Sequence, residues 1–197
     1  MSKWLRAMVI LALVASCGGG GPGQAPRNLD NACSILEQRP TYYRAFRATE
    51  RKWGVPVHVQ MATIYQESKF ISDARTPLRF KLGVIPMGRQ SSAFGYSQAL
   101  DGTWDEYLED QNKGPRTRRD DIRDATDFMG WYMNDTKEQL GIPLWDARRQ
   151  YLAYHEGRTG YRRGSYNAKS WLMRVAAEVG ERSRVYQAQL ANCRAAR

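Results

Sequence analysis

The chain has 197 residues, 30 of them Lys or Arg and 20 Asp or Glu, for a formal charge of +10. Two His and three Cys give no ligand cluster for a metal, and no cofactor-binding motif is present, so metal- and cofactor-dependent classes are set aside. The basic residues fall in small scattered groups (Arg116, Arg118 and Arg119; Arg148 and Arg149; Arg162 and Arg163), a solvated surface seeking anions rather than a nucleic-acid stripe.

In chain order, Lys3 and Arg6 precede a short apolar run from Ala7 to Ala15, the layout of a secretory signal over 1–16. The run is far shorter than the roughly 20 residues that cross a bilayer. Val14-Ala15-Ser16-Cys17 resembles the lipobox of bacterial lipoproteins, in which Cys17 is lipidated and becomes the new N-terminus. The other reading is an ordinary cleaved signal with an incidental Cys. Losing Lys3 and Arg6 lowers the charge to +8 (10 − 2). The Gly- and Pro-rich stretch that follows costs too much backbone entropy to order, which predicts a flexible tether over 17–27 and one folded domain over 28–197. Cys33 and Cys193 remain, and in an exported chain such a pair predicts a disulfide.

The domain reads as mainly α. A short helix carries Cys33, Ile35 and Leu36. Pro40 opens a second helix that Gly54 stops, and Pro56 opens a third, amphipathic one. From Ile71 to Ser92 the pattern breaks, and a loop this long is usually functional; its position suits the roof of a groove. Thr103 and Glu106 predict a capping box ahead of Trp104 to Gln111. A long helix is expected from about Asp120 to Leu140, closed by Gly141. The next carries Trp145, Tyr151, Leu152 and Tyr154, and the last carries Leu172 through to an inward-facing Cys193. Six Trp and eleven Tyr would suit a sugar cleft, although most would serve simply to fill the core.

Three motifs carry chemistry. The third helix ends in Glu67-Ser68, Gly95-Tyr96-Ser97-Gln98 reads as a turn, and Ala153-Tyr154-His155-Glu156-Gly157 follows. In that order they resemble the lytic transglycosylases, bacterial enzymes with a lysozyme-like (goose-type lysozyme, SLT) domain that cut peptidoglycan glycan strands. The family's turn usually reads Gly-Leu-Met-Gln and its third motif Ala-Tyr-Asn, so His155 stands in the Asn position. The resemblance implies no cofactor, glycan strands as substrate, and a site in the bacterial cell envelope. The absence of Asp after Cys17 resembles lipoproteins sent to the outer membrane, which would anchor the enzyme there on its periplasmic face.

The resemblance also implies roles. Glu67 would protonate the glycosidic oxygen, which requires a carboxyl pKa raised by apolar walls. It would then act as base toward the substrate's C6 hydroxyl, closing a 1,6-anhydro ring. Ser68 would hydrogen-bond Glu67 or the substrate, Gly95 would permit a tight turn, and Tyr96 would belong to the substrate surface. Gln98 would reach a sugar or brace the loop, Tyr154 would bring its hydroxyl to Glu67, and His155 would add a hydrogen-bonding ring. Two rivals remain: a hydrolytic goose-type muramidase using Asp73, Asp101 or Asp105 to position water, and a non-catalytic peptidoglycan-binding lipoprotein.

Overall fold

The computed structural model describes residues 23–196. The expected signal, Cys17 and the first part of the tether lie outside them. The remaining tether residues are docked rather than free. Arg27 and Gln38 exchange hydrogen bonds of 2.9 and 2.8 Å, the Arg39 guanidinium donates to the Gln24 carbonyl, and the Ser72 amide donates to the Gly23 carbonyl. Residues 23–27, expected in the tether, thus contact the domain.

Seven helices and one hairpin follow: α1 (Ala32–Gln38), α2 (Pro40–Trp53), α3 (Val57–Ser68), β1 (Leu78–Lys81), β2 (Ile85–Arg89), α4 (Asp101–Asp110), α5 (Ile122–Leu140), α6 (Ala147–Arg162) and α7 (Ser170–Ala191), with 3-10 turns at Ser165–Ala168 and Arg194–Ala196. Pro40 sits in the first turn of α2, where its missing N–H costs nothing, and Gly54 and Gly141 close α2 and α5 in the left-handed conformation. None of the described helices is long and apolar enough to cross a membrane.

Helix α3 is the centre of the domain. It packs against α2, α5, α6 and α7, and its buried residues run almost all round it, from Val57 to Ile64. It is thus a core helix rather than the amphipathic one expected, because four neighbours cover it. Its buried Gln60 donates to the Phe46 and Val55 carbonyls at 3.1 and 2.7 Å. Gly130 lets α5 cross α2 closely; a Cβ there would lie 2.4 Å from a ring atom of Trp53. Beside that crossing Asp127 accepts from Trp53 Nε1 (2.6 Å), the Tyr107 hydroxyl (2.7 Å), Lys113 (2.6 Å) and Lys52 (3.0 Å). Burial opposes its charge, yet these donors prevail and hold its pKa at about 2. A second aromatic core of Trp104, Tyr107, Phe128, Trp131 and Tyr132 lies on this side.

The ends are closed together. Cys33 and Cys193 form a disulfide with a Cα–Cα distance of 5.5 Å. The Ala32 amide donates to Gln189 Oε1 at 2.7 Å, and the Tyr43 hydroxyl to the Ala196 carbonyl at 2.6 Å. His58 plays a structural part, its Nδ1 lying 2.8 Å from the Ser183 hydroxyl.

Four expectations are corrected. Helix α4 starts at Asp101 with Leu100 at the cap and no side-chain cap bond, so Thr103 and Glu106 lie inside the helix and form no capping box. The long irregular segment contains the β1–β2 hairpin, whose residues are all exposed and so lack the alternation that marks a half-buried strand. Trp145 precedes α6 and is exposed. Cys193 lies just beyond α7 yet is buried, as its bond requires.

Candidate active site

Glu67 occupies the last turn of α3. The chain must turn sharply after it, and does so through Lys69 and Phe70, both left-handed at φ 52° and 61°. Two successive non-glycine residues in that region are strained and persist only where packing dictates them. Here Phe70 is fully buried and stacks on Tyr42 at 6.0 Å between ring centroids. This fixes the end of α3 and hence the position of Glu67.

The Gly95 turn forms the next wall. Gly95 has φ 80°, and a Cβ there would fall 2.1 Å from the Arg119 carbonyl oxygen, so the turn is open to glycine alone. Its amide donates to the Ala74 carbonyl at 3.0 Å, and the Tyr96 amide to the Arg119 carbonyl at 3.2 Å. Gln98 spends its side-chain amide on the Ala74 and Gly95 carbonyls, both at 2.9 Å, which clasps the turn from within.

Helix α6 supplies the third wall. The Tyr154 hydroxyl donates to the Ser97 carbonyl at 2.7 Å, tying α6 to the Gly95 turn. Tyr151 lies one helical turn earlier on the same side, and its phenol is close enough to the Glu67 carboxyl to pull its pKa downward. Gly157 then breaks the helix with φ 72° and ψ 155°.

These surroundings set the chemistry. Glu67 is half-buried, and desolvation raises its pKa to about 7, against the downward pull of the Tyr151 hydrogen bond and the Lys69 charge. Lys69 is the one charged group among the causes of that shift. The Tyr151 hydroxyl is pushed upward by burial and by Glu67, so it stays protonated and able to donate.

The three motifs thus meet around one carboxyl, but several candidate side chains point elsewhere. Ser68 is buried and its hydroxyl bonds the Ile64 carbonyl at 3.3 Å, not Glu67. Tyr96 is buried with its hydroxyl 2.9 Å from that of Tyr42. His155 is exposed, its ring 5.2 Å from Trp171 and its Nδ1 3.3 Å from Glu156. Glu156 is a buried carboxylate; Lys169, Ser165 and His155 outweigh its burial and hold its pKa low. Tyr151, which pairs with Glu67, was legible only as an apolar-face residue. Its spacing of three from Tyr154 was the available signal, since that places both on one side of a helix.

The carboxylates that a hydrolase would need are spent or exposed. Asp101 pairs with Arg119 at 2.7 Å, and Asp73 and Asp105 face solvent. A cavity of about 750 Å³ lies between α2 and α5 beside Lys52 and Asp127 and holds none of the candidate residues. Among the described residues no group of three His, Cys, Asp or Glu is placed to hold a metal.

The mainly helical architecture is consistent with a lysozyme-like domain. The family model for the transglycosylase SLT domain matches residues 5–193, and the chain belongs to that family. Membership makes peptidoglycan glycan strands the substrate class and the cell envelope the place of action. No individual curated protein matches the chain significantly.

Proposed function

We propose that the protein cleaves the MurNAc-β-1,4-GlcNAc bond without water and leaves 1,6-anhydro-MurNAc ends, with Glu67 as acid and then base. The observation that carries this reading is a lone carboxyl with a pKa of about 7, acted on by no other acidic group. Half of such groups are protonated at neutral pH, so one residue can give a proton and take it back. In the first step the Glu67 proton passes to the leaving glycosidic oxygen as the bond to the muramyl C1 breaks. In the second the substrate's C6 oxygen bonds C1 while its hydroxyl proton passes to the Glu67 carboxylate. The acid is regenerated and no water is consumed. A hydrolase would need a second carboxylate to position water; of the candidates, Asp101 is paired with Arg119, and Asp73 and Asp105 face solvent.

Among the remaining candidates, Gly95 and Gln98 act by shaping the turn, and Tyr154 by holding α6 against it. Tyr151 orients the Glu67 carboxyl. His155, beside Trp171, belongs to the outer surface of the groove and contacts the glycan there. In the same reading Cys17 carries the acyl chains that hold the enzyme at a membrane. Metabolic labelling with a fatty acid should then mark the protein and not Cys17→Ser; an unlabelled parent protein would refute the anchor.

The test is a digest of purified peptidoglycan by the protein and by Glu67→Gln, read by mass spectrometry. Anhydro-ended muropeptides from the first and none from the second are expected. Products one water heavier, with reducing ends, would identify a hydrolase. No product from either would favour a glycan-binding protein.

A further inference from the structure

Between Asp73 and Asp101 the chain has no acidic residue but carries Arg75, Arg79, Lys81 and Arg89. In its middle the β1–β2 hairpin is exposed on both faces. It presents Leu78, Phe80, Leu82, Val84, Ile85 and Met87 to solvent, with Leu82 84% and Val84 76% exposed at the Gly83 turn. The other large exposed apolar side chains among the described residues stand elsewhere in the chain. So concentrated an apolar patch marks a contact surface.

Charge and position say which. Arg89 is held at the foot by the Thr76 carbonyl and Arg75 stacks on Phe94, whereas Arg79 and Lys81 flank the apolar tip with no acidic neighbour in the segment to neutralise them. Aliphatic residues beside lysine and arginine are the composition of an element that lies in an anionic lipid interface. A sugar-binding wall would instead offer aromatic faces and polar hydrogen-bonding groups, and the tip from Lys81 to Ile85 has neither Trp nor Tyr. Gly23 lies against Ser72 and so close to the foot of the hairpin. Gly23 lies six positions from Cys17 in sequence, a reach of about 20 Å when extended.

We propose that the β1–β2 hairpin docks on an anionic phospholipid membrane, seating Leu82 and Val84 among the acyl chains and Arg79 and Lys81 on the headgroups. The enzyme is thereby oriented on its membrane as well as held near it. This stands apart from the reading of Glu67 and survives if that reading fails.

The test uses the full chain with Cys17→Ser, which removes the acyl acceptor and leaves the disulfide cysteines paired. Leu82→Cys then supplies one free thiol for a polarity-sensitive dye. Adding phosphatidylcholine vesicles that contain phosphatidylglycerol should shift the dye emission to the blue, and pure phosphatidylcholine should not. Arg79→Gln with Lys81→Gln should weaken the response on the order of tenfold. Val84→Asp should abolish it without changing the melting temperature, because the position is exposed. A chain that sediments with the vesicles but shows no dye shift would overturn the proposal, since the N-terminal segment alone would then be binding. So would an equal shift on neutral vesicles, or a shift seen with purified glycan strands and with neither kind of vesicle.

Discussion

At the scale of single residues the molecule is organised around the cost of desolvating Glu67. Its folded pKa of about 7 lies above the ordinary carboxyl value, so the native state holds a proton that the unfolded chain has lost. The resulting contribution is complete below about pH 4.5 and is lost as pH rises through about 7. Glu67→Gln should therefore abolish glycan cleavage while raising stability at pH 8, by at most about 3 kcal/mol, with little gain near pH 4.5. Thermal melts at the two pH values check this. Activity should fall on the alkaline side with a midpoint near the same value, because the first step requires the protonated form. Tyr151→Phe removes a hydroxyl that lowers the Glu67 pKa, so that limb should move to higher pH and the rate fall on the order of tenfold. Tyr154→Phe, which frees only the Ser97 carbonyl, should cost about 1 kcal/mol of stability and leave the limb in place. Paired pH–rate profiles separate the two tyrosines.

At the scale of elements the site depends on a turn that admits one residue type. A Cβ at Gly95 would collide with the Arg119 backbone, and the positive φ adds strain. Gly95→Ala should therefore destabilise the domain by about 3 kcal/mol or more, measured by denaturant unfolding, and displace the loop that Gln98 clasps. The helices flanking this turn read clearly from their punctuation: Pro40, Gly54, Pro56 and Gly141 lie at or beside the ends of α2, α3 and α5. The hairpin did not read at all. Exposed on both faces, it carries no buried stripe, and burial is what imprints a period on a strand.

At the scale of the whole molecule, the Cys33–Cys193 bond joins residues 160 apart in sequence. Closing so long a loop stabilises by about 5 kcal/mol in the chain-entropy model. Reduction should accordingly lower the melting temperature by roughly 10–20 °C, read by comparing scans with and without reductant. The bond closes a seam already made by Gln189 on Ala32 and Tyr43 on Ala196, so the reduced domain should retain its helices near room temperature.

By itself the sequence determined the class of protein: a mainly helical domain, the pairing of its two distal cysteines, and the order of the three motifs around one glutamate. These follow from local rules, since periodicity, turn residues and short motifs are properties of neighbours along the chain. Only the tertiary structure decided how each side chain of those motifs is spent. Ser68, Tyr96 and Gln98 turn to backbone or to Tyr42 because the groups nearest them in space come from Ile64, Ala74 and α2. Tyr151 comes near the acid because α6 packs against α3, and the raised pKa of Glu67 exists because the packing around it partly desolvates the carboxyl.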